Sequence, residues 1–231
     1  MKFLLFLLFP ILSTTVFAAE AKHTCRILFL NGPANAPKTL QLFDGSQCLE
    51  VDLPRMNFSK VYELPAGPLT LRMLATPSED PTKIPSEAPS AKIAENMQDF
   101  YLLVISDPSN PIVPVRLQAI DASAGKLKLG EMLWFNLTKN RVGGTLGTEK
   151  LDIRPDSRAV VSAPASGNED YKVNLVFLIP GNEQQYPLCE TKWRHNPRSR
   201  SVAFIIAEAG NRSPRVMVFS DYRESTREST E

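Results

Sequence analysis

The strongest constraint on this chain is the way its apolar and polar residues alternate. From Cys25 onward they do so in short runs such as "CRILFLN", "LTLRML", "YKVNLVFLI" and "PRVMVFSD", each closed by Pro, Gly, Asn or Asp. A period of two puts every second side chain on one face of a strand, and the closing residues are those that turn a backbone. No long stretch keeps the wider spacing of an amphipathic helix. The expected fold class is all-β.

The runs also repeat along the chain. "ILFLN" ending at Asn31 matches "LWFN" ending at Asn136, "LEVDL" from Leu49 matches "LDIRP" from Leu151, and "VYELPAG" matches "VVSAPAS". "LTLRML" then matches "KVNLVF", "YLLVIS" matches "VAFIIA", and "VPVRLQAID" ending at Asp121 matches "PRVMVFSD" ending at Asp221. Order is kept and the offset stays near 100 residues, a common length for a β-sandwich. The reading is two tandem Ig-like β-sandwich domains, residues 24–122 and 126–222, joined at "ASAGK", each with about seven short strands. A domain of this size buries only about 60 to 65% of its extended-chain surface, so it gains from a disulfide or from docking on its twin. The Pro- and Ser-rich segment Thr76 to Lys92 is expected to be a long exposed loop, because each Pro removes a backbone donor. The polar tail 223–231 is expected to be disordered.

Within "VYELPAGPLTLRML", residues 61 to 74, a Leu-Pro-Ala-Gly turn leads into an alternating strand. Together with the looser "LFLN...LQLFDG" pattern before it, the turn resembles secreted bacterial β-sandwich modules of the prealbumin-like and related exported type. The resemblance implies a glycine that lets the chain reverse before a core strand, and a scaffold or binding role rather than catalysis. The second half departs from it: "SAPASGNEDYKVNL" widens the turn.

The N-terminus predicts where the protein works. Lys2 precedes an apolar run from Phe3 to Leu12, then a polar neck and small residues, the layout of a secretory signal peptide. Residues 1–18 are assigned to it, with cleavage after Ala18 or alternatively after Ala21. The expected location is the periplasm, the envelope or the exterior. The run is short for a bilayer, and no later stretch reads as a transmembrane segment. Cys25 follows His23-Thr24 instead of a lipidation site. In an oxidising compartment Cys25 and Cys48 could form a disulfide, leaving Cys189 as a small buried hydrophobe.

Charge selects no partner. The formal net charge is +1, which supplies no basic excess for nucleic acid. The two histidines, His23 and His195, are too few for a His-rich metal centre, and the sequence carries no H-E-x-x-H, G-x-S-x-G, C-x-x-C or phosphate-loop signature. No catalytic residue, metal or cofactor is therefore assigned, and a secreted hydrolase with an unmarked site remains an outsider. "VGGTLG", Val142 to Gly147, reads as a turn or bulge, since no helix follows to complete an anion site.

The densest chemistry lies in "KWRHNPRSR". Lys192, Arg194, Arg198 and Arg200, with His195, collect positive charge at an expected hairpin, and Trp193 offers a flat apolar face beside it. Such a tip could bind an anionic glycan or envelope surface by guanidinium contacts and stacking. The bland alternative is a charged turn that keeps a sheet edge soluble. The expected role is a non-catalytic binding or structural one, with an envelope protein or glycan as partner.

Overall fold

A computed structural model describes residues 22–222 except Glu79 and Ala209. The expected signal peptide and the 223–231 tail lie outside the described residues. The first half contains β1 (His23–Leu30), β2 (Thr39–Phe43), β3 (Cys48–Asp52), β4 (Tyr62–Leu64), β5 (Leu69–Leu74), β6 (Ser90–Ile93), β7 (Asp99–Ser106) and β8 (Val115–Asp121). The second contains β9 (Met132–Asn136), β10 (Arg141–Leu146), β11 (Glu149–Ile153), β12 (Ser157–Val161), β13 (Asp170–Leu178), β14 (Gln185–Arg194), β15 (Ser199–Ile206) and β16 (Arg215–Tyr222). The protein is all-β, as the alternation predicts.

Four sheets of four strands form, in the orders β4-β1-β7-β8, β3-β2-β5-β6, β12-β9-β15-β16 and β11-β10-β13-β14. Adding eight to each strand number of the first two orders gives the last two. The correspondence extends to polarity: β1 pairs in parallel with β7, and β9 in parallel with β15, while every other pair is antiparallel.

Three apolar layers hold the sheets together. Ile27, Phe29, Leu42, Leu71, Met73 and Leu102 fill the space between the two sheets of the first half, and Trp134, Val142, Leu146, Val173 and Ile205 do so in the second. Between them, Leu28, Tyr101 and Leu103 meet Phe135, Val202, Phe204 and Phe219. The sheets containing β1 and β9 therefore lie at the centre and are covered on both faces. This explains why "ILFL" and "YLLVI" lose the alternation that the outer strands keep: a strand buried on both sides has no solvent face to polarise. Fully burying a Leu or Phe contributes about 1.5 to 3 kcal/mol, so each such residue in the central layer adds to the attachment of one half to the other.

The segment from Thr76 to Lys92 is the exposed loop expected from its prolines only in part: Ala88 and Pro89 are buried, and Ser90 opens a strand. It carries a short 3-10 turn, Pro81–Lys83, capped by Asp80 Oδ1 accepting from Thr82 N at 2.9 Å, and then β6. Ile84 and Ala88 pack on Phe43 and Leu74, and Arg72 Nη1 donates to the Ser86 carbonyl at 2.9 Å. A Pro-rich stretch can be held this way because its carbonyls still accept hydrogen bonds although its nitrogens do not donate. The first half thus has eight strands, not seven.

The disulfide expected between Cys25 and Cys48 is absent. The two lie in different sheets and different apolar clusters: Cys25 is fully buried in the first-half core, while Cys48 packs beside Phe43 with its Sγ 3.4 Å from the Ser78 amide nitrogen.

Candidate functional site

The segment Lys192 to Arg200 does not form a hairpin. β14 belongs to an outer sheet and β15 to a central one, so the chain crosses between sheets here. The six expected binding residues are scattered as a result. Lys192 is exposed on β14 opposite Lys172, and Arg198 is exposed in the crossing. Arg194 is exposed and donates from Nε to Asn168 Oδ1 at 3.1 Å, with Asp170 3.7 Å away. Trp193 turns inward and stacks on Trp134, their ring centroids 6.1 Å apart and planes at 12°. His195 and Arg200 are buried. The period of two keeps Lys192 and Arg194 on the outward face of β14 and turns Trp193 to the opposite one.

Arg200 instead anchors a charged cluster at the junction of the halves. Its Nη2 lies 2.7 Å from Asp221 Oδ2 and 2.8 Å from Asp99 Oδ2, and its Nη1 donates to the Ala122 carbonyl. Tyr101 donates to Asp221 Oδ2 at 2.7 Å, and Arg26 Nη1 lies 2.9 Å from Asp221 Oδ1. Thr24 completes Asp99 by donating from Oγ1 at 2.8 Å. Two guanidinium groups thus face two carboxylates, with Arg26, Tyr101 and Asp99 from one half and Arg200 and Asp221 from the other. Burial opposes the charge on Arg200, but the Tyr101 oxygen and the Asp99 and Asp221 carboxylates outweigh it and hold the guanidinium above its ordinary pKa.

Both histidines hold turns. His23 Nε2 lies 2.6 Å from the Gly67 carbonyl and its Nδ1 2.9 Å from that of Met97. His195 Nδ1 lies 2.6 Å from the Gly167 carbonyl and its Nε2 3.2 Å from that of Gly130. Gly67 and Gly167 both sit in the turn that enters the long strand of an outer sheet, β5 in one half and β13 in the other. Each half thus ties that turn down with a buried imidazole, although His23 opens β1 and His195 follows β14. Sequence comparison misses this, since the two histidines are not at matching positions of the repeat. With their ring nitrogens facing main-chain carbonyls, neither imidazole is placed to serve a serine as base.

The remaining sequence candidates are structural. Gly143 and Gly144 lie within β10, where a Cβ on Gly144 would come 2.0 Å from the Asn174 carbonyl oxygen. The glycine lets β13 approach closely, and β10 is followed by β11, not by a helix whose N-terminus could hold an anion. Asn136 is fully buried, donating to the Asn140 carbonyl at 2.7 Å and accepting from Thr138 Oγ1 at 2.8 Å. Among the described residues, no group of three or more His, Cys, Asp or Glu could hold a metal, and no helix is long and apolar enough to cross a membrane.

Two open grooves flank the junction. One, of about 760 Å³, lies over the charged cluster between Lys22, Gln98, Ser123 and Lys128. The other, of about 600 Å³, runs between the loops of the first half and β16. No family model matches the sequence, and no curated protein matches it.

Proposed function

We propose that the protein is an exported, non-catalytic binding or structural protein of the periplasm or cell envelope, built from two prealbumin-like modules that arose by duplication. The observation that carries the reading is the junction. Strand order and parallel pairing recur in both halves, and the apolar layer and ion cluster between them make one body that presents its loops at fixed separation. Rigid placement of surface suits a scaffold or a binder, which gains affinity when less order must be imposed on association. The turn-holding role of both histidines supports the same reading, since the residues most useful for proton transfer are spent on main-chain carbonyls. Three of the six residues behind an anionic-glycan tip are turned inward, so a protein partner in the envelope is favoured over a glycan.

The reading is tested by expressing the full chain in a bacterial host, sequencing the N-terminus of the exported product, and using immobilised protein to capture partners from envelope extract. The expected product begins at Ala19 or Lys22 and retains an envelope protein. A chain kept in the cytoplasm with its leader intact overturns export, and turnover in a panel of ester, peptide and glycoside substrates overturns the non-catalytic role.

A further inference from the structure

The two halves differ at one edge. In the first half, β8 ends its sheet, but β6 of the facing sheet comes alongside and closes that side. In the second, β16 takes the place of β8 and β14 that of β6, yet β14 approaches β16 at few positions, its Arg194-His195 end lying near Ser220 and Tyr222. The rest of the β16 edge is open. Among the described residues, the main chain of Val216 to Phe219 is bonded only by β15. In an antiparallel pair every second residue points its N–H and C=O away from the partner, so this edge presents a row of unused donors and acceptors.

The edge also lacks the features that normally protect one. β14 carries Pro187, Glu190 and Lys192, whereas β16 runs Val216-Met217-Val218-Phe219 with no proline, bulge or charge between Arg215 and Asp221. The 600 Å³ groove follows this edge, lined by five consecutive residues from Arg215 to Phe219 on one side and by Asn31, Gly32, Ala34, Arg55 and Met56 on the other. Successive strand residues point to opposite faces, so a groove that touches all five must run along the backbone edge. Met56, 81% exposed, forms an apolar wall. Arg55 and Arg215 line the groove without a carboxylate among the lining residues. Arg55 Nη1 donates to the Pro33 carbonyl at 2.6 Å, and Arg215 donates from Nη2 to Asn31 Oδ1 at 2.9 Å with Glu208 Oε1 3.7 Å from its Nη1, so the two arginines outnumber the one nearby carboxylate.

We propose that this edge is a strand-addition site for an extended peptide of a partner protein, with apolar residues alternating with acidic ones. Main-chain hydrogen bonds to β16 give the affinity, Met56 and Val218 receive the apolar side chains, and Arg55 and Arg215 select for carboxylates. A second copy of β16 fits less well, because its one carboxylate, Asp221, is fully buried between Arg26 and Arg200. The proposal rests on the reading of the protein as a binder and names the class of partner.

The test uses the full mature protein and three synthetic octapeptides: alternating Val and Glu, alternating Val and Lys, and the Val-Glu peptide N-methylated at alternate residues. Affinity is read by fluorescence anisotropy and position by amide NMR shifts. The Val-Glu peptide is expected to bind about tenfold more tightly than the Val-Lys peptide and to shift the Val216 to Phe219 amides, while N-methylation removes binding. Arg55→Glu with Arg215→Glu should invert the charge preference, and Val218→Lys should weaken binding about tenfold with the melting temperature kept. Equal affinity for the two charged peptides overturns the proposal, as does binding that leaves the β16 amides unmoved. A dimer of the free protein that Val218→Lys dissolves would assign the edge to a second copy instead. If no peptide binds at millimolar concentration while envelope capture succeeds, the strand-addition site falls and the binding role stands.

Discussion

Arg200 donates from a single nitrogen, Nη2, to Asp99 of the first half at 2.8 Å and to Asp221 of its own half at 2.7 Å. Asp221 is fully buried, so its charge depends on Arg200 and Arg26 together. Replacing Arg200 by Met keeps the volume but leaves two carboxylates facing one guanidinium. The Arg200→Met variant is expected to lose about 3 kcal/mol of stability in urea unfolding, since breaking a buried ion pair strands its partner. Arg200→Met combined with Asp221→Asn should recover part of that loss. A single variant as stable as the parent would mean that the cluster does not hold the halves together.

The turn that carries the Leu-Pro-Ala-Gly signature makes a second prediction. Gly67 has φ +83° with open space where a Cβ would stand, so strain in the backbone, not crowding, limits substitution. Gly67→Val is expected to lower stability by about 1 to 2 kcal/mol and Gly67→Asn by less, because Asn tolerates the left-handed region and a β-branched residue does not. Thermal melts of the two variants should rank in that order, and envelope capture should be unchanged in both. Equal melting temperatures would place the constraint elsewhere in the turn.

Acid should weaken the β2–β3 hairpin. Burial pushes the Asp44 carboxyl up, but hydrogen bonds from the Gln47 and Ser46 amides and the Ser46 hydroxyl outweigh it and hold the group below the usual carboxylate range. A carboxyl depressed in the folded state stabilises above its unfolded pKa and loses that contribution as pH falls through the folded value. Asp44→Ala is therefore expected to cost about 1 kcal/mol near neutrality. The gap to the parent should close as pH drops below about 4. A gap of constant size down to pH 2 would exclude ionisation as its source.

Thiol chemistry checks the cysteines. Cys25 is fully buried, and burial pushes the Cys189 thiol up, so native protein should react slowly with a thiol reagent. In guanidinium without reductant, all three cysteines are expected to react. A count of one, with peptide mapping that joins Cys25 to Cys48, would restore the expected bridge.

The strands were legible in the sequence because one buried face imposes a period of two, and every apolar run used to trace the repeat falls on a strand. β6 was hidden: "SAKI" is short and follows a stretch whose prolines read as loop. Arg200 was hidden for a different reason. Read beside Lys192, Arg194 and Arg198 it looks like surface charge, yet it opens a strand whose continuation, "SVAFII", is buried on both faces. That continuous apolar run, matched by "YLLVI" in the first half, was the available sign that a second layer covers these strands. Nothing local reveals that Asp99, more than a hundred residues away, supplies the opposing charge.

The parallel pairing at the heart of each half bears on how the chain reaches its folded form. Ile27 aligns with Leu102, and Leu133 with Val202, so the central ladders join segments separated by most of a half and cannot close through a tight hairpin. Hairpins such as β2–β3 and β15–β16 can zip locally, while the central strands must wait for distant chain to arrive. Topologies dominated by such remote contacts fold in milliseconds to seconds rather than microseconds. During that interval "ILFL" and "AFII", the most apolar strands of the protein, are without their covering layers, which makes the unfolded chain a natural client for a holding chaperone.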